Sequence, residues 1–347
     1  MRAVVLNGPH QVSVEQVDDP VLPGPDGAII RVEHTAICGS DLHLYEGRLG
    51  MPGVHLGHEF IGTVVEVGPD VRGVKAGDRV LASGVIGCGR CPGCRAGNPI
   101  ACEQGGPRVF GTDAALPGGQ AEAVAVPAAD HALHLIPEAV TDEQAVLLTD
   151  ILPTGYIGAR RADVAPGDTV AVIGLGPVGT LALLCAQLLG AARVIGVDPL
   201  PDRRAQAEKL GAITIDPAEG GTAPQVIELT HGRGADAVIE AVGSDATVTD
   251  AIFSVRATGT VSVVGVNFNM AFPFPMGLAM GRNLTFRAAI APIPSTWPTL
   301  LPLVASGRLH PEGVFTHRLP LSEAPRAYHL FANREDGCLK VLLDPGR

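Results

Sequence analysis

The stretch Gly174-Leu175-Gly176-Pro177-Val178-Gly179 decides how the second half of this chain folds. It follows an apolar run that predicts a β-strand, residues 169–174, and it opens a second apolar run that predicts a helix, residues 178–189. In that setting the first glycine permits a tight turn, the second lets a pyrophosphate approach the backbone, and the third lets helix and strand pack closely. The N–H groups at the start of the helix then face the phosphates. We therefore predict a dinucleotide-binding turn formed by Gly174, Gly176, Pro177, Val178 and Gly179.

Strand and helix patterns alternate after this turn. Residues 193–198 predict a strand, residues 201–210 a helix and residues 235–240 another strand, an alternation that gives a parallel sheet with helices on both faces. Asp198 ends the second strand, where its carboxylate would bind both hydroxyls of an adenosine ribose and repel a 2′-phosphate, so NAD is favoured over NADP. The alternative is an acid that only caps a helix or loop. Arg203 is expected beside the same ribose, although a nearby arginine is also how phosphorylated cofactors are held.

The rest of the chain has a different pattern. Up to about residue 150, short β-rich runs are broken by glycine and proline, which indicates a mostly antiparallel β domain with functional loops. After about residue 290 the pattern becomes mixed again and ends in a strand at residues 339–343. We therefore expect an α/β protein in which a doubly wound parallel-sheet domain, residues 154–289, is inserted into a mostly β domain formed by residues 1–153 and 290–347, with a cysteine-rich lobe at residues 84–104.

Composition limits the class of protein. The 347 residues, 46% hydrophobic and 18% charged, exclude a disordered chain and suffice for two domains. A formal net charge of −11 argues against nucleic acid as a partner. The uncharged run between Asp168 and Arg193 is long enough to cross a membrane, but the glycine turn in its middle would break a helix, so we expect no membrane contact. Seven cysteines, an odd number behind no secretory leader, indicate a cytoplasmic protein with metal-bound thiolates rather than disulfides.

Four of these cysteines are closely spaced. The pattern Cys88-x2-Cys91-x2-Cys94-x7-Cys102 is interleaved with glycine and proline, which let a loop wrap around an ion. Four soft ligands with no open position are typical of a tetrahedral structural zinc site that does no catalysis. The alternatives are an iron–sulfur cluster or cysteines that meet by chance.

A second candidate site is scattered along the chain. Cys38 lies in Cys38-Gly39-Ser40-Asp41-Leu42-His43, and Gly57-His58-Glu59 follows about twenty residues later. Taken singly, such a cysteine or histidine is usually a core or surface residue. Beside a dinucleotide site they suggest a zinc ion with nitrogen, sulfur and oxygen ligands and one open position. Asp150 is an acid in an apolar run, and because a buried carboxylate is costly unless it is paired or bound to a metal, it is the natural third ligand.

Taken together, these motifs resemble those of the zinc-containing medium-chain dehydrogenase/reductase family, which includes the alcohol, polyol and formaldehyde dehydrogenases. The resemblance covers essentially the whole chain, because it also includes Gly119-Gln120-Ala121-Glu122, Thr149-Asp150-Ile151-Leu152-Pro153-Thr154-Gly155-Tyr156 and Asp336-Gly337-Cys338-Leu339-Lys340-Val341. It implies a Rossmann domain inserted into a GroES-like catalytic domain. It also implies a zinc-dependent, NAD-linked oxidoreductase that forms a homodimer or a homotetramer.

The resemblance assigns metal ligands to particular residues. It implies a catalytic zinc bound by Cys38, His58 and Asp150, with Glu59 as a neighbour of the metal or an exchanging ligand. The four clustered cysteines would bind a structural zinc, which gives two zinc ions per chain.

The resemblance also implies cofactor and proton-transfer roles. Thr154 would approach the nicotinamide, Val266 would belong to the cofactor site, and Lys340 would stand where a basic residue reaches the pyrophosphate. Ser40 would contact the substrate oxygen, and His43 would accept its proton through the cofactor ribose. The alternative for His43 is a surface histidine.

Some positions depart from the familiar animal alcohol dehydrogenases. Asp150 replaces a cysteine ligand, which makes the site more anionic. Gly39 replaces a phosphate-binding basic residue and leaves that task to the backbone and Lys340. Gly84 stands where an aromatic residue often narrows the substrate pocket, which suggests a roomier pocket. Trp297 and Tyr45 are candidates for lining the substrate or the subunit surface.

Three functions are therefore considered. The first is hydride transfer between an alcohol or polyol and NAD, giving an aldehyde or ketone. The second is a formaldehyde dehydrogenase or aldehyde dismutase-like relative, whose motifs the Gly-Gly-Gln-Ala-Glu and Asp-Gly-Cys stretches resemble. The third is a non-catalytic zinc or dinucleotide-binding scaffold. A scaffold needs no open metal position, so the third function is disfavoured by the presence together of Cys38, Ser40, His43, His58 and Asp150.

Overall fold

The computed structural model describes residues 1–49 and 52–346. The chain forms two compact units, which we call the split unit, residues 1–153 with 292–347, and the central unit, residues 154–291.

The first part of the split unit is rich in short strands. Its strands are β1 (Arg2–Gly8), β2 (Gln11–Gln16), β3 (Ala28–Ala36), β4 (Val54–His55), β5 (Glu59–Val67), β6 (Arg79–Ala82), β7 (Val85–Ile86), β8 (Arg108–Val109), β9 (Ala123–Val126) and β10 (Leu133–Leu135). Its helices are α1 (Asp41–Tyr45), α2 (Pro92–Arg95), a 3₁₀ turn (Pro99–Ala101), α3 (Ala129–Ala132) and α4 (Asp142–Leu147). Thr141 and Gln144 form a capping box at the start of α4, which fixes where this helix begins.

Helix α5 (Ile151–Arg161) contains the boundary to the central unit, in which strands and helices alternate. The elements of the central unit are β11 (Thr169–Ile173), α6 (Pro177–Leu188), β12 (Arg193–Val197), α7 (Pro201–Lys209), β13 (Ile213–Ile215), α8 (Thr222–Leu229), β14 (Ala235–Glu240), α9 (Asp245–Ser254), β15 (Val255–Val263), α10 (Met276–Gly281) and β16 (Thr285–Ala288). The chain then returns to the split unit with α11 (Ile293–Ala305), β17 (His317–Pro320), α12 (Ala324–Asn333), β18 (Val341–Asp344) and three 3₁₀ turns (Glu312–Val314, Leu321–Glu323, Glu335–Gly337).

The split unit is built on mostly antiparallel sheets. One sheet has the order β2-β1-β4, a second has the order β10-β6-β5-β3-β18-β17 with β9 also paired to β3, and β7 pairs with β8. Because β17 and β18 pair with each other in parallel and β18 pairs with β3, the end of the chain completes a sheet that its beginning starts. This sheet carries the loops after β3 and before β5, which hold the candidate ligands Cys38 and His58.

Two apolar clusters form the core of the split unit. One is centred on Phe60 and Phe110, whose rings meet edge to face 5.2 Å apart. The other is centred on Tyr328 and includes Tyr45, with ring centroids 5.3 Å apart. Tyr45 is 5% exposed, so it lines neither a substrate nor a subunit surface in this unit. Its role is packing, because an aromatic ring of this size contributes a large apolar area to a core.

The central unit has one fully parallel sheet. Its order is β13-β12-β11-β14-β15-β16, in which the strand sequence reverses beside β11. Every residue of β11 is buried, as expected for a strand covered by helices on both faces. Ligands of doubly wound sheets bind at the carboxyl ends of the strands near this reversal. The predicted Rossmann arrangement is confirmed.

The uncharged run between Asp168 and Arg193 does not form one long helix. It divides into β11, the glycine turn and α6, because Gly174 takes a positive φ of 88° at the end of the strand. Within residues 1–49 and 52–346 there is no helix with the length and hydropathy needed to cross a membrane.

Candidate active site

The four clustered cysteines come together in the split unit. The sulfur atoms of Cys88, Cys91, Cys94 and Cys102 all lie within 4.8 Å of one another. The short helix α2 turns the chain between them, and backbone N–H groups point at the sulfurs: Cys88 N lies 3.3 Å from Cys102 Sγ. Hydrogen bonds from the N–H groups of Arg90 and Cys91 lower the pKa of the Cys88 thiol to about 6. Four sulfurs in one small closed set, one of them easily ionised, fit a tetrahedral zinc ion.

The second set of candidate ligands also comes together. Ligand atoms of Cys38, His58, Glu59 and Asp150 lie within 4.8 Å of one another. Asp150 Oδ2 is 3.4 Å from Cys38 Sγ and 3.3 Å from His58 Nε2. The Asp150 side chain is 17% exposed, whereas the Cys38 and His58 side chains are buried. A sulfur, a nitrogen and carboxylate oxygens with one accessible side fit a zinc ion that keeps a position open.

The protonation of this set depends on burial. Burial and the charge of Glu59 raise the pKa of the Cys38 thiol to about 11. Burial alone would also raise the pKa of Asp150, but the hydrogen bond and charge of His58 outweigh it and the pKa is lowered. A cation that binds here therefore meets a ready carboxylate and displaces a proton from the thiol.

Asp41 orients two of the ligands. Its Oδ1 lies 3.1 Å from His58 Nδ1, and its Oδ2 accepts a hydrogen bond from Cys38 N at 3.0 Å. Gln120 donates to the same carboxylate at 3.3 Å and accepts from the Tyr328 hydroxyl at 2.8 Å. All three partners are buried, so this network fixes the imidazole ring from the side away from the other ligands.

Sequence reasoning gave Asp41, Gln120 and Tyr328 no role. Asp41 and Gln120 lie inside motifs that were singled out, and a polar residue within a metal-binding motif was a signal that could have been used. Tyr328 lies in α12, nearly three hundred residues from Asp41, and carries no such signal.

The position of Lys340 corrects an expectation. Its amine is fully buried and donates to Glu59 Oε1 at 2.7 Å and to the carbonyl of Ile37 at 3.0 Å. A buried amine that already binds two oxygens presents no atom to a phosphate, so Lys340 does not reach a pyrophosphate. Burial raises the pKa of Glu59, and the charge of Lys340 acts in the opposite direction. The amine therefore balances the carboxylate beside the candidate metal ligands.

Gly84 corrects a second expectation. Its N–H donates to the carbonyl of Thr149 at 2.9 Å, and a Cβ atom placed on it would lie 2.8 Å from the carbonyl oxygen of His58. A side chain would point into the backbone of the two ligand-bearing segments. The absence of one is therefore needed for packing and adds no volume to a substrate pocket.

Ser40 and His43 lie in the segment that follows the candidate ligand Cys38. Ser40 precedes α1, and its Oγ is 3.3 Å from His58 Nε2. His43 is in α1, half-buried, with its Nδ1 3.4 Å from the guanidinium of Arg48. Burial and the charge of Arg48 lower its pKa. His43 is therefore neutral at physiological pH and able to accept a proton.

The glycine turn of the central unit has the predicted geometry. A Cβ on Gly179 would lie 1.7 Å from the carbonyl oxygen of Gly174, so close packing of helix and strand needs glycine there. Gly176 caps α6, and Pro177 occupies its first turn, so the N–H groups at the start of the helix point out of the turn. Val178 follows in the same turn of helix.

Asp198 and Arg203 lie beside this turn. Asp198 is buried, and its oxygens accept hydrogen bonds from Leu175 N and Leu200 N, both at 2.9 Å. Arg203 Nη1 is 3.4 Å from Asp198 Oδ2 and 3.6 Å from the position of a Cβ on Gly176. The acid is thus held at the edge of the turn and partly neutralised by the arginine.

The two remaining cofactor candidates lie in the central unit. Thr154 is in α5, and Val266, 42% exposed, follows β15. A Cβ atom on Gly243 would lie only 2.2 Å from the carbonyl oxygen of Val266. The segments that follow β14 and β15 therefore lie very close together at this glycine. The roles of both residues stay predictions.

Comparison with known proteins identifies the class. Residues 24–138 match the family model described as alcohol dehydrogenase GroES-like domain, and residues 177–306 match the zinc-binding dehydrogenase model. The chain therefore belongs to the zinc-containing medium-chain dehydrogenase/reductase family, a family of zinc-dependent alcohol oxidoreductases. The predicted family, its GroES-like and Rossmann domains and its class of activity are confirmed.

Three relatives show how close the similarity is. A protein of Mycobacterium tuberculosis named "Probable zinc-binding alcohol dehydrogenase Rv1895" is 49% identical over 99% of this chain and 89% of its own length. The structure of alcohol dehydrogenase TADH from Thermus sp. ATN1 matches with a TM-score of 0.93 and 42% identity over 99% of each chain. A zinc-binding dehydrogenase structure from Sinorhizobium meliloti 1021, bound to NADP, matches with a TM-score of 0.85 and 32% identity over 99% of each chain.

Proposed function

We propose that this protein transfers hydride between an alcohol or polyol and NAD, with a zinc ion bound by Cys38, His58 and Asp150. The observation that carries the proposal is the meeting of these ligand atoms within 4.8 Å around one partly exposed carboxylate. A zinc ion held there supplies Lewis acidity, which lowers the pKa of an alcohol that reaches it. The four-cysteine lobe would hold a second zinc with a structural role.

Side chains around this site would position the ligands, balance charge and transfer the substrate proton. Asp41 holds the His58 ring in place, and the Lys340 amine balances the charge of Glu59. Ser40 would accept the proton of a substrate hydroxyl, a role supported by its Oγ lying 3.3 Å from Nε2 of the candidate ligand His58. His43, kept neutral by burial and Arg48, is the acceptor from which that proton would leave to solvent.

The cofactor proposed is NAD. Asp198 beside the glycine turn favours the ribose hydroxyls of NAD, whereas Arg203 at 3.4 Å reduces the repulsion that a 2′-phosphate would meet. One relative binds NADP, so the preference must be measured. We expect kcat/KM with NAD to exceed that with NADP and Arg203→Ala to widen the difference. A higher kcat/KM with NADP would overturn this part of the proposal.

The assembly proposed is a homodimer or homotetramer in the cytoplasm. Strand β16 is an edge of the central sheet, and the exposed apolar residues Met276, Met280 and Ile290 lie close to it in sequence. An uncovered edge strand with apolar neighbours is typical of a subunit interface. Light scattering after size-exclusion chromatography should give at least twice the 35.7 kDa chain mass. The cytoplasm is proposed because thiols gathered in two candidate metal sites are typical of a reducing compartment.

A substrate panel tests the reaction. Primary and secondary alcohols, polyols and aldehydes would be followed by NADH absorbance, with NADP as the comparison. Metal analysis should give two zinc ions per chain and one in Cys38→Ser, which should lose activity. Cys185→Ala is the matched control, because this buried cysteine lies outside both ligand sets and should keep both ions. One zinc per chain in the wild type, with NAD still bound, would favour a scaffold instead.

A further inference from the structure

The strongest unexplained feature of the split unit is its single tryptophan. Trp297 is 2% exposed, so it lines neither a substrate nor a subunit surface in this unit, contrary to expectation. Its indole Nε1 donates a hydrogen bond of 2.9 Å to the carbonyl of Leu148. Leu148 follows the last residue of α4, where a carbonyl has no partner inside the helix, and it lies two residues before Asp150. Trp297 therefore holds the end of the segment that supplies a candidate metal ligand.

The same helix contacts the four-cysteine lobe. Ser295, two residues before Trp297 in the first turn of α11, donates its N–H to the carbonyl of Gly97 at 3.1 Å. Gly97 in turn donates to the carbonyl of Cys94 at 2.8 Å. The contact with Ser295 is close, since a Cβ on Gly97 would lie 3.0 Å from the backbone of Ser295. The start of α11 is thus fixed on a loop that the lobe's own ligands shape.

A cavity of about 270 Å³ lies at this junction and is lined by Cys94, Gly97, His134 and Trp297, among others. The His134 ring meets the indole edge to face at 5.5 Å. The buried indole therefore borders the same cavity as Cys94 and Gly97 of the lobe. A displacement of the lobe can reach the environment of the ring, because both line this cavity.

A second contact joins the lobe to the segment before Asp150. Gly84, four residues before Cys88, donates its N–H to the carbonyl of Thr149 at 2.9 Å. The carbonyl of Thr149 is thus held by Gly84, at the start of the lobe, and the carbonyl of Leu148 is held by Trp297 of α11, whose first turn contacts the lobe. Asp150 lies between α4 and α5, so these contacts help to fix the backbone from which its carboxylate reaches Cys38 and His58.

We propose that Trp297 couples the two metal sites, so that a zinc ion in the four-cysteine lobe raises the affinity of the open site for its own zinc. The lobe has two states, with and without a bound metal ion, and the change between them would alter the position of Trp297. The contacts that transmit this change run from Cys94 through Gly97, Ser295 and Trp297 to Leu148. The proposal rests on the ligand sets of the proposed function. It makes Trp297 a positioning residue, which acts on Asp150 through the backbone.

The first test is zinc release from the protein loaded with two zinc ions into a chromogenic chelator. Trp297→Phe keeps a buried ring, removes the N–H and leaves the carbonyl of Leu148 without its donor. We expect the zinc of the open site to leave about ten-fold faster while the lobe retains its zinc. Thr296→Val is the matched control: it removes a buried 2.7 Å hydrogen bond to Ile293 in the same helix turn and should release zinc as the wild type does. Equal release rates in the wild type and Trp297→Phe would overturn the proposal, as would equal acceleration in both variants.

The second test separates coupling from a general loss of stability. Cys102→Ser weakens the lobe site, and we expect two results: a shift in the emission of Trp297, the only tryptophan, and faster release from the open site. In the Trp297→Phe background, Cys102→Ser should accelerate release less than it does in the wild type, because only the contact between Gly84 and Thr149 then joins the lobe to the segment before Asp150. Additive effects of the two substitutions would overturn the coupling and leave the proposed function standing. A wild type that binds only the lobe zinc would instead overturn the proposed function.

Discussion

The buried pair of Lys340 and Glu59 leads to a quantitative prediction for Lys340→Met. Both side chains are fully buried, with the amine 2.7 Å from the carboxylate and 3.0 Å from the carbonyl of Ile37. Methionine fills a similar volume but leaves a buried carboxylate without a partner. Removal of one member of such a pair costs about 3–5 kcal/mol, because the remaining charge is desolvated and uncompensated. We expect a loss of that size in the free energy of unfolding.

The assay can follow the split unit alone. Trp297 lies in this unit, so its fluorescence during urea unfolding reports the unfolding of the unit that contains the pair. The double variant Glu59→Gln with Lys340→Met removes the stranded charge and should recover most of the lost stability. Lys75→Met, at an exposed position, is the control and should change stability by less than about 0.5 kcal/mol.

Two results would refute this reasoning. A loss below about 1 kcal/mol in Lys340→Met would mean that water or protonation relieves the carboxylate. A double variant no more stable than the single one would mean that the loss came from packing rather than charge. The affinity of folded Lys340→Met for NADH gives a separate check. A ten-fold weaker affinity than in the wild type would mean that Lys340 does contact the pyrophosphate, contrary to its burial.

Three further predictions concern single positions. Asp41→Asn keeps the size of the side chain but removes the charge beside His58, and zinc release from the open site should become about ten-fold faster with the lobe zinc unchanged. Gly84→Ala places a Cβ 2.8 Å from a carbonyl oxygen and should lower the free energy of unfolding by about 1–3 kcal/mol, whereas Gly39→Ala, with nothing within 4 Å, should not. Burial would raise the pKa of Asp236, but hydrogen bonds from Arg233, Thr169 and Arg256 hold it well below its usual range. Because the pKa is lower in the folded state than in the unfolded state, the ionised carboxylate stabilises the fold at pH values above the unfolded-state pKa of about 4. The difference in thermal stability between the wild type and Asp236→Asn should therefore shrink as the pH falls below about 4. A difference that stays constant between about pH 7 and pH 3 would contradict this prediction.

The parts of the fold that follow local rules were predictable. The glycine turn lies between a strand and a helix because few other sequences allow a positive φ at Gly174 and contact at Gly179. The four-cysteine spacing predicted a closed cluster because residues that close in sequence cannot lie far apart. Cys38, His58 and Asp150 were proposed as ligands from their residue types and from the apolar run around Asp150, and the family resemblance then assigned them as one set. Local spacing could not show that they meet, since only the folded chain brings residues more than a hundred positions apart together.

The errors share one physical cause, which is that burial and direction of a side chain depend on tertiary packing. The family resemblance placed Lys340 at a phosphate, yet its amine is buried against Glu59. Gly84 was taken for an open space, although the position of its missing Cβ is occupied by backbone. Trp297 was expected at a surface because its partner, the carbonyl of Leu148, is about 150 residues away and invisible to any local pattern.

The Glu59–Lys340 pair gives the candidate metal site its charge balance. In the proposed function, a Cys38 thiolate and an Asp150 carboxylate would together offset the two positive charges of a zinc ion held by these residues. Glu59 adds a third negative charge within 4.8 Å of the other ligand atoms, and such a charge would oppose the ionisation of a substrate hydroxyl. The amine of Lys340 removes this opposition while staying too deeply buried to compete for the substrate oxygen. Lys340→Met should therefore raise the apparent pKa seen in the pH profile of kcat, whereas a residue that served stability alone would leave that profile unchanged.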